Sequence, residues 1–183
     1  EHMMPRTPDK TELMSKERER TRAAEKIHEK ARYLRGRFLN SVAVIERDIA
    51  LILTDYFCTV DEEKRKLFFK RIATGHFFSL KVKKDVLFEI VRSDYPSYWK
   101  ENKEELKCLD KIIEFRNKLA HSIVDVSDEA LSRPLEHGIG FVEWNTGKPV
   151  TDEEFEDWEL KTTTVLECLS GIRMLLPFKE KRD

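Results

Sequence analysis

The residues best suited to chemistry lie close together in the segment Arg116-Asn117-Lys118-Leu119-Ala120-His121. A histidine side chain titrates near neutrality, so the imidazole of His121 can accept or donate a proton at cellular pH. The guanidinium of Arg116 can bind two oxygens of a phosphate at once, and Asn117 can orient the imidazole or the phosphate. These residue types make the segment the first candidate for a functional site that transfers protons and binds an anion.

Helical periodicity places the segment at the end of a predicted helix, with Arg116 inside an apolar arc that includes Ile112 and Leu119. An unpaired charge in such a place costs on the order of several kcal/mol, so we expect a partner or a ligand. Arg116 and His121 lie about 140° apart on an ideal helix. They meet only if the helix ends or distorts near Ala120, if the arginine side chain bends round, or if two chains share the site.

A structural interpretation of the same residues is also open, in which Arg116 forms a buried ion pair and His121 merely ends the helix. The spacing alone is weak evidence, because a chain with five histidines contains a second Arg-x4-His pair, Arg71 and His76. The Asn directly after Arg116 is more specific, because the chain has only four asparagines. We treat the Arg71 pair as coincidental and assign no role to His28, His76 and His137.

The segment Phe115-Arg116-Asn117-Lys118-Leu119-Ala120-His121 resembles the signature of HEPN domains, in which an Arg, usually followed by a polar residue, precedes a His at the end of a bundle helix. The resemblance covers roughly residues 37–176, and only this segment of it is specific. It implies a metal-independent endoribonuclease that needs no cofactor and acts as a homodimer, with two copies of the motif lining one cleft. Attack by the RNA 2′-hydroxyl would leave 2′,3′-cyclic phosphate and 5′-hydroxyl ends, with Arg116, Asn117 and His121 as catalytic residues.

The resemblance favours an RNA-cleaving toxin or antiviral effector, with an antitoxin or another regulatory protein as a candidate partner. The pattern of cysteines indicates that the protein acts in the cytoplasm. The alternative is a catalytically inactive HEPN-like module that dimerises and binds a partner. Toxins that work with a nucleotidyltransferase antitoxin commonly carry a Tyr two positions after the His. Ile123 occupies that position here, which argues against regulation by modification of such a Tyr. A DNA-binding repressor is disfavoured, because no helix-turn-helix with a basic recognition helix is recognisable.

Further residues are candidates for supporting the site. Glu46 lies at the centre of the apolar face of the first predicted bundle helix, where it could meet Arg116 in a buried pair that aims the guanidinium. A pair with Arg47 or with a lysine at the bundle edge is the alternative. Several basic residues could gather into an RNA-binding patch or belong to solvated faces: Lys64, Arg65, Lys81, Lys83 and Lys84. Three tryptophans could stack on bases, although a core position is favoured for the last: Trp99, Trp144 and Trp158.

The pattern of apolar residues predicts an all-α fold, an up-and-down four- or five-helix bundle with a small β-hairpin inserted before the last helix. Residues 1–35 comprise the remnant of an expression tag and a charged, helical extension, for which a solvated helix is favoured and a binding arm is the alternative. Residues 36–178 form the HEPN-like bundle and 179–183 a tail. The predicted elements are helices 37–57 and 61–74, a helix capped by Ser79 and ended by Tyr95-Pro96, a helix from about 98 or 103 to 121, and one that begins with a capping box at Thr151 and is ended by Pro177. A loop is predicted at 122–136, and hairpin strands are predicted at 138–144 and 148–150.

Composition limits the other possibilities. The 183 residues carry a formal net charge of −1, which argues against a surface devoted entirely to nucleic acid or membrane. The cysteines, Cys58, Cys108 and Cys168, are odd in number and form no CxxC motif, so we expect reduced thiols rather than a disulfide scaffold or a zinc site. No apolar run is long enough for a transmembrane helix, and no secretory signal is recognisable.

Overall fold

A computed structural model describes residues 10–58, 61–142 and 149–176. The helices in these ranges are α1 (Lys10–Phe57), α2 (Glu62–Phe68), which continues as a π-helical turn (Phe69–Ala73), α3 (Leu80–Asp94), α4 (Pro96–His121), α5 (Asp128–Ser132) and α6 (Asp152–Leu175). The strands are β1 (Ile123–Val124), β2 (Ile139–Val142) and β3 (Pro149–Val150), and a 3₁₀ turn spans Leu135–His137. The prediction of an all-α fold with a small hairpin before the last helix is confirmed.

The chain divides into two compact units. The first unit contains the described residues up to Arg35 together with Ser122–Asp152. The second contains Gly36–His121 and the described residues from Glu153 onward. Helix α1 therefore contributes to both units, and the Arg116 segment belongs to the second.

The second unit is a helical bundle built around apolar faces of α1, α3, α4 and α6. Its largest fully buried side chains are Phe38, Ile45, Ile49, Ile52, Leu53, Leu87, Leu106, Leu109, Ile112, Leu119 and Leu169. Each such side chain contributes about 1.5–3 kcal/mol by leaving water, so these faces fix the position of the helices that carry the site.

The boundaries of α3 and α4 follow from local chemistry. The hydroxyl of Ser79 accepts a hydrogen bond from the backbone N–H of Val82 at 3.4 Å, which caps the first turn of α3 as predicted. Helix α3 ends at Asp94, and Pro96 is the first residue of α4, a position where proline is well tolerated. Helix α4 thus begins slightly earlier than the sequence indicated and ends at His121 as expected.

The second predicted helix changes character along its length. The carboxylate of Asp61 accepts a hydrogen bond from the N–H of Lys64 at 3.0 Å and caps α2. From Phe69 to Ala73 the helix widens into a π turn, and the N–H of Thr74 closes it with a 3.0 Å hydrogen bond to the Phe69 carbonyl. Single π turns inside helices occur frequently beside functional sites.

A three-stranded antiparallel sheet lies in the first unit, in the order β1-β2-β3. Strand β2 pairs with β3 through Ile139↔Val150 and Gly140↔Pro149, which confirms the predicted hairpin pairing. Strand β1 pairs with the other edge of β2. The predicted turn residues and the neighbouring tryptophan lie outside the described residues: Trp144, Asn145, Thr146 and Gly147.

The prediction that residues 122–136 form only loop is wrong. They contain β1 and α5, whose first turn is capped by the Ser127 hydroxyl accepting from the N–H of Ala130 at 3.3 Å. A two-residue strand carries no periodicity in the sequence, because its extended shape comes from pairing with β2 rather than from its own side chains.

The charged segment before residue 36 is helical from Lys10, as predicted, but part of it is not solvated. Ile27 and Ala31 are spaced by one helical turn and are buried. Lys30 donates a hydrogen bond to Asp152 at 2.7 Å instead of pairing along its own helix. A few apolar residues are enough to bury this part of α1, because only one narrow stripe of the helix is shielded from solvent.

Candidate functional site

Arg116 and Asn117 line a groove of about 350 Å³ in the second unit. Its wall is formed by α1, the link that follows the π turn, the start of α3 and the end of α4. The lining residues are Glu46, His76, Ser79, Leu80, Lys81, Ile113, Arg116 and Asn117. Ligand pockets commonly measure about 300–1,000 Å³, and the groove falls within that range.

Arg116 is exposed, which corrects the prediction that its guanidinium lies among core side chains. The buried positions of α4 run through Leu106, Leu109, Ile112 and Phe115 in steps of three, and a step of four then leads to Leu119. Each step of three shifts the buried stripe by about 60° on a helix of 3.6 residues per turn. By the end of α4 the core lies on the Phe115 side, and Arg116 faces the groove.

An aromatic cluster holds the end of α4 in place. The ring of Phe115 stacks on Trp158 with centroids 4.5 Å apart and meets the edge of Phe38 at 4.9 Å. Phe155 contacts the same ring at 5.9 Å. Trp158 therefore packs with core residues, as the sequence favoured. Because successive helical residues are about 100° apart, anchoring Phe115 sets the direction of Arg116.

Trp99, a second predicted base-stacking residue, packs beside Phe88 with centroids 5.1 Å apart. The guanidinium of Arg92 lies over its ring at 5.0 Å from the centroid. Its faces are thus engaged by neighbours on α3, and it does not line the groove. The third tryptophan, Trp144, is outside the described residues.

Asn117 orients the arginine. Its Oδ1 accepts a hydrogen bond from Nη1 of Arg116 at 3.0 Å. Within the described part of the chain, the other N–H groups of Arg116 make no hydrogen bond, and both side chains are exposed. A guanidinium held from one side in this way presents its remaining donors to whatever enters the groove.

Glu46 does not pair with Arg116, which corrects one of the two predicted arrangements. Its Oε1 accepts a hydrogen bond from Nζ of Lys83 at 2.6 Å. The Lys83 side chain is 3% exposed and that of Glu46 is 35% exposed. The alternative is not formed as predicted either, because the partner is a buried lysine of α3 and not Arg47 or a lysine at the bundle edge. Glu46 still borders the groove, but its negative charge is balanced by the ammonium behind it.

Two of the predicted RNA-binding lysines are buried in ion pairs, which removes them from the surface. Lys83 binds Glu46, and Lys84 binds Asp110 and, at 2.9 Å, Asp85. Burial acts to lower the pKa of Lys84, but hydrogen bonds to Asp110 and Asp85 outweigh it and raise the pKa. Charged side chains this far from water serve the bundle rather than a nucleic acid.

The other three predicted RNA-binding residues make different contacts. Arg65 forms an ion pair with the buried carboxylate of Asp55, and the exposed Lys64 lies 3.4 Å from Asp61. Lys81 alone among the five lines the groove. The predicted patch is therefore reduced to this one lysine beside Arg116.

The structure places the two nearby histidines differently from the sequence prediction. His121 ends α4 and is exposed, but it is not among the residues that line the groove. His76, to which no role was assigned, does line it. Hydrogen bonds of 3.0 Å from Gly75 N to Ile72 O and from Phe78 N to Gly75 O fold this link between the π turn and α3. In the sequence, the one feature that could have pointed to His76 was its position just after Gly75, in the short link before the Ser79 cap.

Comparison with known protein families, with curated proteins and with solved structures finds no match for this chain. Within residues 10–58, 61–142 and 149–176, no group of three potential metal-ligating side chains is assembled. In the same ranges, no helix combines the length and apolar character needed to cross a membrane. Inference about function therefore depends on the chemistry of the groove and of the Arg116 segment.

Proposed function

We propose that this protein is a metal-independent endoribonuclease of the HEPN type, which cleaves RNA through attack of a 2′-hydroxyl on the adjacent phosphate. The observation that carries the proposal is the exposed guanidinium of Arg116, oriented by Asn117 and facing a groove of ligand size. A guanidinium with donors on one edge can bind two non-bridging oxygens of a phosphate. Negative charge that develops on those oxygens in the transition state strengthens that binding, which lowers the barrier.

Proton transfer is assigned to His121. As the bond from the 2′-oxygen to phosphorus forms, the neutral imidazole of one protomer takes the 2′-hydroxyl proton. The bond from phosphorus to the 5′-oxygen breaks, and the protonated imidazole of the partner's His121 gives its proton to the leaving 5′-oxygen. The products are a 2′,3′-cyclic phosphate and a 5′-hydroxyl, and the two imidazoles have exchanged protonation states.

A homodimer is part of the proposal, because one protomer does not bring His121 into the Arg116 groove. Two copies of the helix end, facing each other across a two-fold axis, would supply both imidazoles to one cleft. The biological setting that we propose is a cytoplasmic toxin or antiviral effector, acting on cellular RNA and restrained by an antitoxin or another regulatory protein.

A second function is a catalytically inactive module of the same type that dimerises and binds a partner. The observation that favours it is the absence of His121 from the residues that line the groove. The two functions share one fold, so they are distinguished by whether the protein cleaves RNA.

Expression in a bacterial host separates these functions. Wild-type protein is expected to slow growth, whereas Arg116→Ala and His121→Ala relieve the effect at equal expression level. Arg92→Ala, which removes an exposed arginine of α3 outside the groove, serves as the matched control and should remain toxic. Equal toxicity or equal harmlessness of wild type and both site variants would contradict the ribonuclease and favour the binding module.

A further inference from the structure

We infer that His76 and Lys81 complete, with Arg116, a phosphate-binding site for the RNA backbone within a single protomer. The inference deepens the proposed ribonuclease function and depends on it for the identity of the ligand. It assigns roles to an imidazole and an ammonium that the Arg-x4-His motif does not include, and it places them in the groove that His121 does not reach.

Three basic side chains from three different segments line this groove. His76 comes from the link after the π turn, Lys81 from the first turn of α3, and Arg116 from the last turns of α4. All three are exposed, so a phosphate from solvent can reach each of them. Residues that are far apart along the chain gather here because the bundle packs α3 against α4.

The charge balance of the groove favours an anion. Glu46 is the one carboxylate among the lining residues, and the buried ammonium of Lys83 neutralises it at 2.6 Å. In the part of the chain that the structure describes, neither Lys81 nor His76 is paired with a carboxylate. Lys81 and Arg116 therefore leave two uncompensated positive charges beside the imidazole of His76.

Three other basic residues of the second unit are engaged in ion pairs. The ammonium groups of Lys83 and Lys84 are buried and paired, and Arg65 is bound to Asp55. With a formal net charge of −1, the chain as a whole does not attract polyanions, so binding must come from a local cluster. In the described part of the second unit, the groove combines the unpaired Lys81 and Arg116 with a ligand-sized volume of about 350 Å³. The chemistry that it recognises is a phosphate group, which RNA and inorganic phosphate share.

The test uses the full chain and a short, fluorescently labelled, single-stranded 2′-O-methyl oligonucleotide of mixed sequence, which cannot be cleaved because its 2′-oxygen is blocked. Affinity is measured by anisotropy over a range of salt concentrations. We expect His76→Gln and Lys81→Gln each to weaken binding by about three- to tenfold, and Lys81→Gln to reduce the slope of log K against log salt by about 0.7, the value for one phosphate contact on a single strand. His137→Gln and Lys100→Gln, exposed residues outside the groove, are the matched controls and should bind like wild type.

Inorganic phosphate provides the second arm, measured by calorimetry. The inference would be overturned if wild type bound phosphate but not the oligonucleotide. It would also be overturned if both groove variants bound the oligonucleotide with the affinity of wild type. Circular dichroism confirms that the variants are folded, which is expected because both side chains are exposed.

The inference and the ribonuclease function fail differently. Cleavage of RNA that requires Arg116 and His121, combined with unchanged oligonucleotide binding by His76→Gln and Lys81→Gln, rejects the phosphate site and keeps the ribonuclease. Weakened binding in these two variants, combined with no cleavage of RNA by wild type, keeps the phosphate site and rejects the ribonuclease.

Discussion

Lys83 carries a positive charge into the helical bundle with only 3% of its side chain exposed, and Glu46 is its partner. Removing one member of a buried pair leaves the other charge without compensation, at a cost of about 3–5 kcal/mol when both are fully buried. Because Glu46 retains some solvent contact, we expect Glu46→Ala to lower the free energy of unfolding by about 2–4 kcal/mol. Urea denaturation of the purified protein measures this change.

The double variant Glu46→Ala/Lys83→Met is the control for that experiment. It removes both charges and leaves an apolar side chain of similar length in the lysine site, so most of the lost stability should return. Lys83→Met alone should cost less than Glu46→Ala, because the carboxylate that it leaves is 35% exposed and can be hydrated. A Glu46→Ala variant as stable as wild type would show that the pair does not hold the groove wall.

The residues of the site were predictable only in part. The sequence singled out Arg116 and Asn117, whose types and spacing are visible in one helix, and the structure brings them together. It did not reveal that Glu46 binds Lys83, because a lysine is rarely buried and the contact joins two helices. His76 was missed for a similar reason, because its place depends on how the link after the π turn folds.

At the scale of the helices, the Ser79 cap fixes where α3 begins and therefore where Lys81 enters the groove. Its hydroxyl satisfies the Val82 N–H at 3.4 Å. We expect Ser79→Ala to lower the free energy of unfolding by about 1 kcal/mol, the usual cost of a lost N-cap. Chemical denaturation checks the value, with Ser170→Ala, an exposed serine inside α6, as the control that should show no loss. Equal stability of Ser79→Ala and wild type would contradict the capping role.

Tyr98 joins α4 to α6, and its hydroxyl donates a 2.7 Å hydrogen bond to the Cys168 carbonyl. Burial, with a smaller contribution from the Cys168 thiolate, raises the pKa of Tyr98 to about 12 from its ordinary value of 10.0. The unfolded chain therefore loses this proton at lower pH than the folded protein. The stability that Tyr98 contributes is complete below pH 10 and is lost as the pH rises from 10 toward 12.

We therefore expect the melting temperature to fall above pH 10 and Tyr98→Phe to make that fall shallower. Thermal melts between pH 8 and 12 measure the effect. Part of the decline should remain, because burial also raises the pKa of Tyr95. Tyr33→Phe, at a position where 61% of the residue is exposed, should leave the curve unchanged. Parallel curves for wild type and Tyr98→Phe would contradict the account.

The elements with their own local signals were the ones that the sequence could predict. Ser79 caps α3 as predicted, and the helix ends before Tyr95-Pro96 as expected, whereas α4 begins at Pro96 and not at 98 or 103. The π turn and β1 were not predicted, because each depends on hydrogen bonds to partners rather than on periodicity. The drift of the buried stripe along α4, which exposes Arg116, also depends on neighbouring helices.

At the scale of the whole molecule, the proposed cleft requires two protomers. The cleavage rate per chain should therefore rise with protein concentration and follow the fraction of dimer, because a monomer lacks the second imidazole. Analytical ultracentrifugation and RNA cleavage measured over the same concentrations test this. A constant rate per chain at concentrations where the protein is monomeric would contradict a shared cleft.

The most direct test of the central claim is incubation of the purified protein with total RNA in EDTA, followed by analysis of the fragment ends. If Arg116 binds the phosphate and His121 transfers protons, wild type should release fragments with 2′,3′-cyclic phosphate and 5′-hydroxyl ends. Arg116→Ala and His121→Ala should each lower the rate by at least about 100-fold, since a general acid–base group contributes about 10²–10⁴-fold. Intact RNA with wild type, or equal cleavage by wild type and both variants, would contradict the account.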